Sequence, residues 1–169
     1  MQVQLEIADG KLDIARQMLT EMIAKNPKSA DARLMLADVE DKAGNHAAAA
    51  DQYRAVIAAD PNNVGALNNL AWSFVKDKPD EGLKYAQQAA KLAPDNPSVQ
   101  DTLGWLYYRT GVYDSAVAHL KTAVSKEGTP QRKYHLGLAL TKTGEQDAGR
   151  KMVRAALDSD PSLAKTEGN

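Results

Sequence analysis

Apolar residues recur along this chain at helical spacing, and the helices they predict recur in turn. Leu12, Ala15, Leu19, Met22 and Ile23 fall on one helix face and predict a helix from Lys11 to about Lys25. The same pattern returns at a nearly constant interval. Gly137 follows Gly104 by 33 residues, Gly144 follows Gly111 by 33, and Pro27, Pro61 and Pro94 are spaced by 34 and 33. A small residue marks each second helix, at Ala15, Ala49, Gly82, Ala116 and Gly149. Twelve residues after each comes a turn residue: Pro27, Pro61, Pro94, Gly128 and Pro161. A period of this size predicts an all-α stack of helix pairs in which each unit buries its apolar face against the next.

The register divides the chain into a truncated first repeat (1–28), four complete repeats (29–63, 64–96, 97–129 and 130–161) and a tail (162–169), all in one solenoid domain. Ser29 is a candidate N-cap. Gly44 suits the left-handed conformation that ends a helix. In the third repeat Lys78-Pro79-Asp80-Glu81 replaces the Gly turn and is one residue shorter, with Pro79 suited to a first helical turn. Glu40 occupies a column that holds Phe74, Tyr107 and Leu140 elsewhere. A carboxylate there weakens packing unless its head reaches water, so the early repeats are expected to be the looser end. The tail shows no convincing apolar face, which predicts either a frayed end or more chain in a longer protein.

Leu103-Gly104, Tyr107, Gly111, Tyr113, Ala116, Leu120 and Ala123 together resemble the tetratricopeptide repeat (TPR) signature, and the resemblance extends over essentially the whole chain. It implies a right-handed α-solenoid with four complete repeats and one truncated N-terminal repeat. The runs at 67–72, 101–105 and 134–137 are also similar to the C-terminal repeats of bacterial exosortase-associated (PEP-CTERM system) TPR proteins.

On each first helix, Leu70/Ala71/Phe74, Leu103/Gly104/Tyr107 and Leu136/Gly137/Leu140 cluster in one arc that must face the core. The opposite arc collects Asn68, Asn69, Trp72 and Lys76 in the third repeat and Asp101, Thr102, Trp105, Tyr108 and Arg109 in the fourth. In the fifth it holds Tyr134, His135 and Lys142. The TPR resemblance implies that first helices line a concave groove, which makes this arc the expected partner-binding surface. Trp72 and Trp105 share a column, as large aromatics at binding hot spots do. Asn69 stands where the family often clamps a ligand backbone, and an amide can both donate and accept. Lys42, Lys76, Arg109 and Lys142 form a basic column suited to acidic groups. The carboxylate clamp of chaperone-binding TPR proteins is not reproduced, since Asp38, Ser98 and Thr102 occupy its places.

Composition narrows the function classes. Of the residues 43% are hydrophobic but only 5% aromatic, a mix that suits close helix packing. The absence of Cys removes disulfides and thiol chemistry. A net charge of −1 argues against nucleic acid as a partner. It hides a gradient, from net −3 over residues 31–60 to net +5 over residues 121–154. No apolar run approaches a membrane span, and no signal peptide is visible at the start. The expected compartment is therefore the cytoplasm by default, or the periplasm and envelope if the chain is part of an exported TPR protein. His46, His119 and His135 show no metal-ligand spacing and no phosphate-binding loop is present, so neither enzyme nor cofactor is expected. His135 with Asp101 is the one pair with catalytic potential. The leading expectation is a scaffold or adaptor that holds an extended or helical segment of another protein. The alternatives are a homo-oligomer built through uncapped ends and an envelope scaffold for exopolysaccharide or surface-protein export.

Overall fold

The computed structural model describes residues 2–166, and among them all regular structure is helical. Eleven helices run in order: α1 (Gln2–Ala8), α2 (Leu12–Lys25), α3 (Ala30–Lys42), α4 (His46–Ala59), α5 (Val64–Ser73), α6 (Pro79–Leu92), α7 (Pro97–Arg109), α8 (Tyr113–Lys126), α9 (Pro130–Thr141), α10 (Gln146–Ser159) and α11 (Leu163–Thr166). Local chemistry sets their ends. Ser29 Oγ accepts from Ala32 N–H, Asn96 Oδ1 from Ser98 and Val99, and Thr129 Oγ1 from Arg132, each occupying a donor left open at a helix start. Gly44 (φ 79°) and Gly111 (φ 81°) make the left-handed turns between paired helices. Pro79 begins α6, as the sequence predicts, and Lys78 before it lies outside helical backbone (φ −143°, ψ 57°). The preceding helix α5 is 10 residues long, and a turn over 74–77, closed by Lys78 N–H donating to Phe74 O at 3.0 Å, joins it to α6.

The helices form two compact units, Met1–Ser73 and Phe74–Asn169. In the first, Val3 from α1, Ala15 and Leu19 from α2, and Ala32, Leu36 and Val39 from α3 make one buried cluster. Glu40 lies in its column only 7% exposed, and its head is paired rather than solvated. Arg16 Nε donates to Oε1 at 2.7 Å, while Arg16 Nη2 (3.2 Å) and Asn45 Nδ2 (2.7 Å) donate to Oε2. These bonds, the Arg16 guanidinium first, hold the Glu40 carboxyl below the usual range.

In the second unit α9 lies in the groove between α7 and α8. Leu136, Ala139 and Leu140 meet Ala116, Val117 and Leu120 there. Gly137 and Gly149 let α9 and α10 touch backbone to backbone, since a Cβ on Gly149 would stand 2.6 Å from the Gly137 carbonyl oxygen. The frayed end is not observed over 163–166: Leu163 of α11 is 6% exposed and packs with Tyr134 and Ala156. The last three residues of the tail, 167–169, lie outside the described residues.

Candidate protein-interaction surface

The two Trp residues of the expected groove have different fates. Trp72, on α5 of the first unit, is 40% exposed, whereas Trp105, on α7 of the second, is 2% exposed. The difference lies in the neighbours that α7 gathers. Trp105 is sandwiched between Tyr108 one turn on (ring centroids 4.6 Å apart, planes 7° apart) and His135 of α9 (4.2 Å, 14°). His135 Nδ1–H in turn donates to Asp101 Oδ1 at 3.0 Å. Offset stacking and a charge-assisted hydrogen bond therefore lock α9 onto α7. Thr102 and Tyr134 are buried as well.

The expectation that this whole arc is presented to solvent is thus corrected for five residues: Asp101, Thr102, Trp105, Tyr134 and His135. An arc free on a single helix becomes core once the adjacent first helix closes over it. The Asp101–His135 pair anticipated from the sequence does form, but both side chains are nearly inaccessible, and the His135 ring lies against Trp105. Tyr108 is half-buried at the edge of the stack.

The cations remain outside. Lys76 in the turn after α5, Arg109 at the end of α7 and Lys142 at the end of α9 are all solvent-accessible, all in the second unit, and pair with no carboxylate among the described residues. Their counterpart in the first unit behaves differently, because Lys42 Nζ lies 2.6 Å from Asp38 Oδ2. In that unit Asn69 is exposed and its amide lies beside the Tyr53 hydroxyl, which donates to Asp41 Oδ2 at 3.0 Å. Burial, with the Asp41 charge second, pushes the Tyr53 hydroxyl pKa up and keeps it a neutral donor. Asn68 Nδ2 reaches Asn69 Oδ1 at 3.4 Å, while Asn68 Oδ1 is buried without a donor.

Sequence reasoning missed two buried polar groups of the second unit. Arg132 is 8% exposed, donating to Ser98 Oγ at 3.0 Å and to the Glu127 carboxylate. The signal was available, because Arg132 breaks a column otherwise filled by buried Ala32, Ala66 and Val99. Gln100 bridges Pro94 O (2.8 Å) and His119 Nδ1 (2.7 Å), and the His119 ring stacks on Tyr107 (5.4 Å). Burial holds His119 below its ordinary pKa. No grouping of three or more His, Cys, Asp or Glu able to hold a metal exists among the described residues. None of the described helices is long and apolar enough to cross a membrane.

Comparison with known proteins agrees with this architecture. The tetratricopeptide repeat profile matches four overlapping windows, residues 1–64, 34–97, 68–131 and 102–164. A TPR repeat-containing protein of Pseudomonas aeruginosa is 29% identical over 129 residues, covering 73% of this chain and 21% of that protein. The chain spans 21% or less of the length of the curated relatives it matches. A thermophilic TPR protein of Thermus thermophilus superposes with a TM-score of 0.77 at 22% identity, over 98% of this chain and 93% of that one. YrrB, a TPR protein with an unusual peptide-binding site, superposes with a TM-score of 0.72 at 19% identity, over 97% and 87%. At these identities the likeness is one of fold, an α-solenoid of helix-turn-helix repeats.

Proposed function

We propose that this chain, which belongs to the tetratricopeptide repeat family, is a protein-interaction scaffold whose second unit holds an acidic segment of a partner along its first helices. The observation that carries the reading is the set of accessible, unpaired cations Lys76, Arg109 and Lys142. Arg109 ends α7, one residue after the Tyr108 ring that caps the buried stack. An accessible cation on a rigid support loses little entropy on pairing, so it suits recognition of a carboxylate-bearing chain. Two of the three sit at helix C-terminal ends, where a positive charge also complements the macrodipole by about 0.3–1 kcal/mol. That alone would account for cations at α7 and α9, but not for Lys76. The fold supports a role in protein–protein interaction in general, and one solved relative of this fold is described by its peptide-binding site. Trp72, 40% exposed on α5, offers the first unit a contact point of its own.

The test is selection of binding segments from a random peptide display library. The wild type should retain sequences enriched in Asp and Glu, with affinity falling as salt rises. The double variant Arg109→Glu/Lys142→Glu should lose them while keeping its helical circular dichroism. Retention of neutral or basic peptides, unaffected by the reversal, would sink the reading.

A further inference from the structure

Two neighbouring first helices of the first unit lack the lock that closes the second. Asp38 follows Ala37 on α3 as Trp105 follows Gly104 on α7. Asn69 stands two places before Ala71 on α5, as His135 stands two before Gly137 on α9. In the second unit these two places hold stacked rings, and both side chains are buried by the contact. In the first unit they hold a carboxylate and an amide, which have no rings to stack, and both stay exposed. Helices precede α3 and follow α5, so this exposed face lies inside the array.

The polar pair is held from beneath by α4. Tyr53 donates to Asp41 Oδ2 at 3.0 Å, and the Asn69 amide faces the same hydroxyl as a donor. That orientation leaves Asn69 Oδ1 as an acceptor, met by one long bond from Asn68 Nδ2 at 3.4 Å. The Asp38 side chain is 53% exposed, and Lys42 Nζ takes its Oδ2. An exposed pair within one helix is weak enough to make room for a second cation. Trp72 lies one turn on from Asn69 along α5, with its ring 40% exposed. Because α5 carries no charged residue, the charge on this face comes from α3, where Asp38 and Asp41 outweigh Lys42. The unit as a whole is also negative, with ten acidic and seven basic side chains over residues 1–73.

A guanidinium matches this set better than any other side chain. Its planar fork donates hydrogen bonds side by side, which suits the carboxylate of Asp38 next to the amide oxygen of Asn69. Its flat face also stacks on an indole. An ammonium is a point charge without that plane, and it is more strongly hydrated. A carboxylate is repelled by Asp38. An apolar side chain displaces water from both acceptors without replacing the hydrogen bonds.

We propose that the first unit binds an arginine side chain of a partner segment, held by Asp38 and Asn69 and stacked on Trp72. The site shares no residue with the set Lys76, Arg109 and Lys142. It therefore stands or falls apart from the reading in which the second unit holds an acidic segment.

Titration with short Gly/Ser peptides tests it, the peptides differing only in a central pair that is Arg-Arg, Lys-Lys or Glu-Glu. Two-dimensional NMR of the tryptophan indole N–H groups reads the binding. The Arg-Arg peptide should move the Trp72 signal, identified by its loss in Trp72→Phe, and leave the buried Trp105 signal in place. It should bind at least about threefold tighter than Lys-Lys, and Glu-Glu should leave the Trp72 signal unmoved. Asp38→Asn keeps the side-chain shape without the charge and should weaken Arg-Arg binding by about tenfold. The variant Arg109→Glu/Lys142→Glu should bind Arg-Arg as the wild type does. Circular dichroism verifies that each variant keeps its fold. A Trp72 signal that stays in place with Arg-Arg at millimolar concentration would overturn the proposal. So would equal affinity for Lys-Lys, which marks general charge attraction, or Arg-Arg affinity unchanged in Asp38→Asn. Loss of Arg-Arg binding in the Arg109→Glu/Lys142→Glu variant would also count against it, because it would move the contact to the second unit.

Discussion

At the scale of single residues, the packing around Gly149 gives the sharpest expectation. In open space a Gly→Ala change inside a helix gains about 0.5–1 kcal/mol in backbone terms. Here the new Cβ meets the Gly137 carbonyl oxygen at 2.6 Å and Thr141 N at 2.8 Å. Backbone atoms cannot rotate away, so overpacking wins and Gly149→Ala should destabilise by about 1–3 kcal/mol in urea denaturation. His119 supplies a second expectation at this scale. Its folded pKa lies below its ordinary value because burial disfavours the imidazolium. The unfolded chain therefore binds the proton first as pH falls through about 6.5. The contribution is fully present above that pH and is lost toward the folded pKa. Thermal denaturation from pH 8 to 5 should show stability falling with pH more steeply in the wild type than in His119→Gln. Parallel curves would mean that His119 does not contribute.

At the scale of helices, the Arg16–Glu40 pair links α2 to α3 through a position that elsewhere is apolar. Replacing a buried ion pair by a well-packed apolar residue is often neutral or stabilising by about 1–4 kcal/mol, whereas removing one partner strands the other. Glu40→Leu, which restores the residue type of Leu140, should be neutral or stabilising, because Arg16 is 30% exposed and keeps Asp13 as a partner, so its charge is not stranded. Arg16→Ala should destabilise, by less than a fully buried pair would because Asn45 still donates to Glu40. Chemical denaturation of both variants tests the sign, and a Glu40→Leu variant less stable than Arg16→Ala would reverse the argument. Helices and turns were legible in the sequence because capping and turn chemistry act within a few residues, as at Ser29, Gly44 and Pro79. The fate of the first-helix arc was not. Whether Trp105 faces water depends on His135, on a helix that begins 21 residues beyond the end of α7, and periodicity within one helix carries no information about that neighbour. Trp72 stands in the same column and stays 40% exposed, so the column alone does not decide burial. The basic column was readable for the complementary reason, since lysine and arginine ends seek water whatever packs beside them.

At the scale of the whole molecule, the two compact units each hold one tryptophan, Trp72 in the first and Trp105 in the second. Repeat stacks gain stability from each repeat and from nearest-neighbour interfaces, so cooperativity need not extend over the full chain. The first unit places the carboxylates Glu6 and Glu40 in the column where the second places Phe74, Tyr107 and Leu140. It should therefore unfold at the lower denaturant concentration. Trp72→Phe removes an exposed ring at small cost and leaves Trp105 to report on the second unit alone. In that variant the fluorescence transition in urea should lie at higher urea than the midpoint followed by far-ultraviolet circular dichroism, which averages over both units. Hydrogen exchange should agree, with amides of α7 and α9 protected longer than those of α3 and α5. Coincident transitions with uniform protection would mean that the chain folds as one cooperative body. The Glu40→Leu change should then narrow the gap between the two midpoints, because it replaces one of the two charged residues that set the first unit apart.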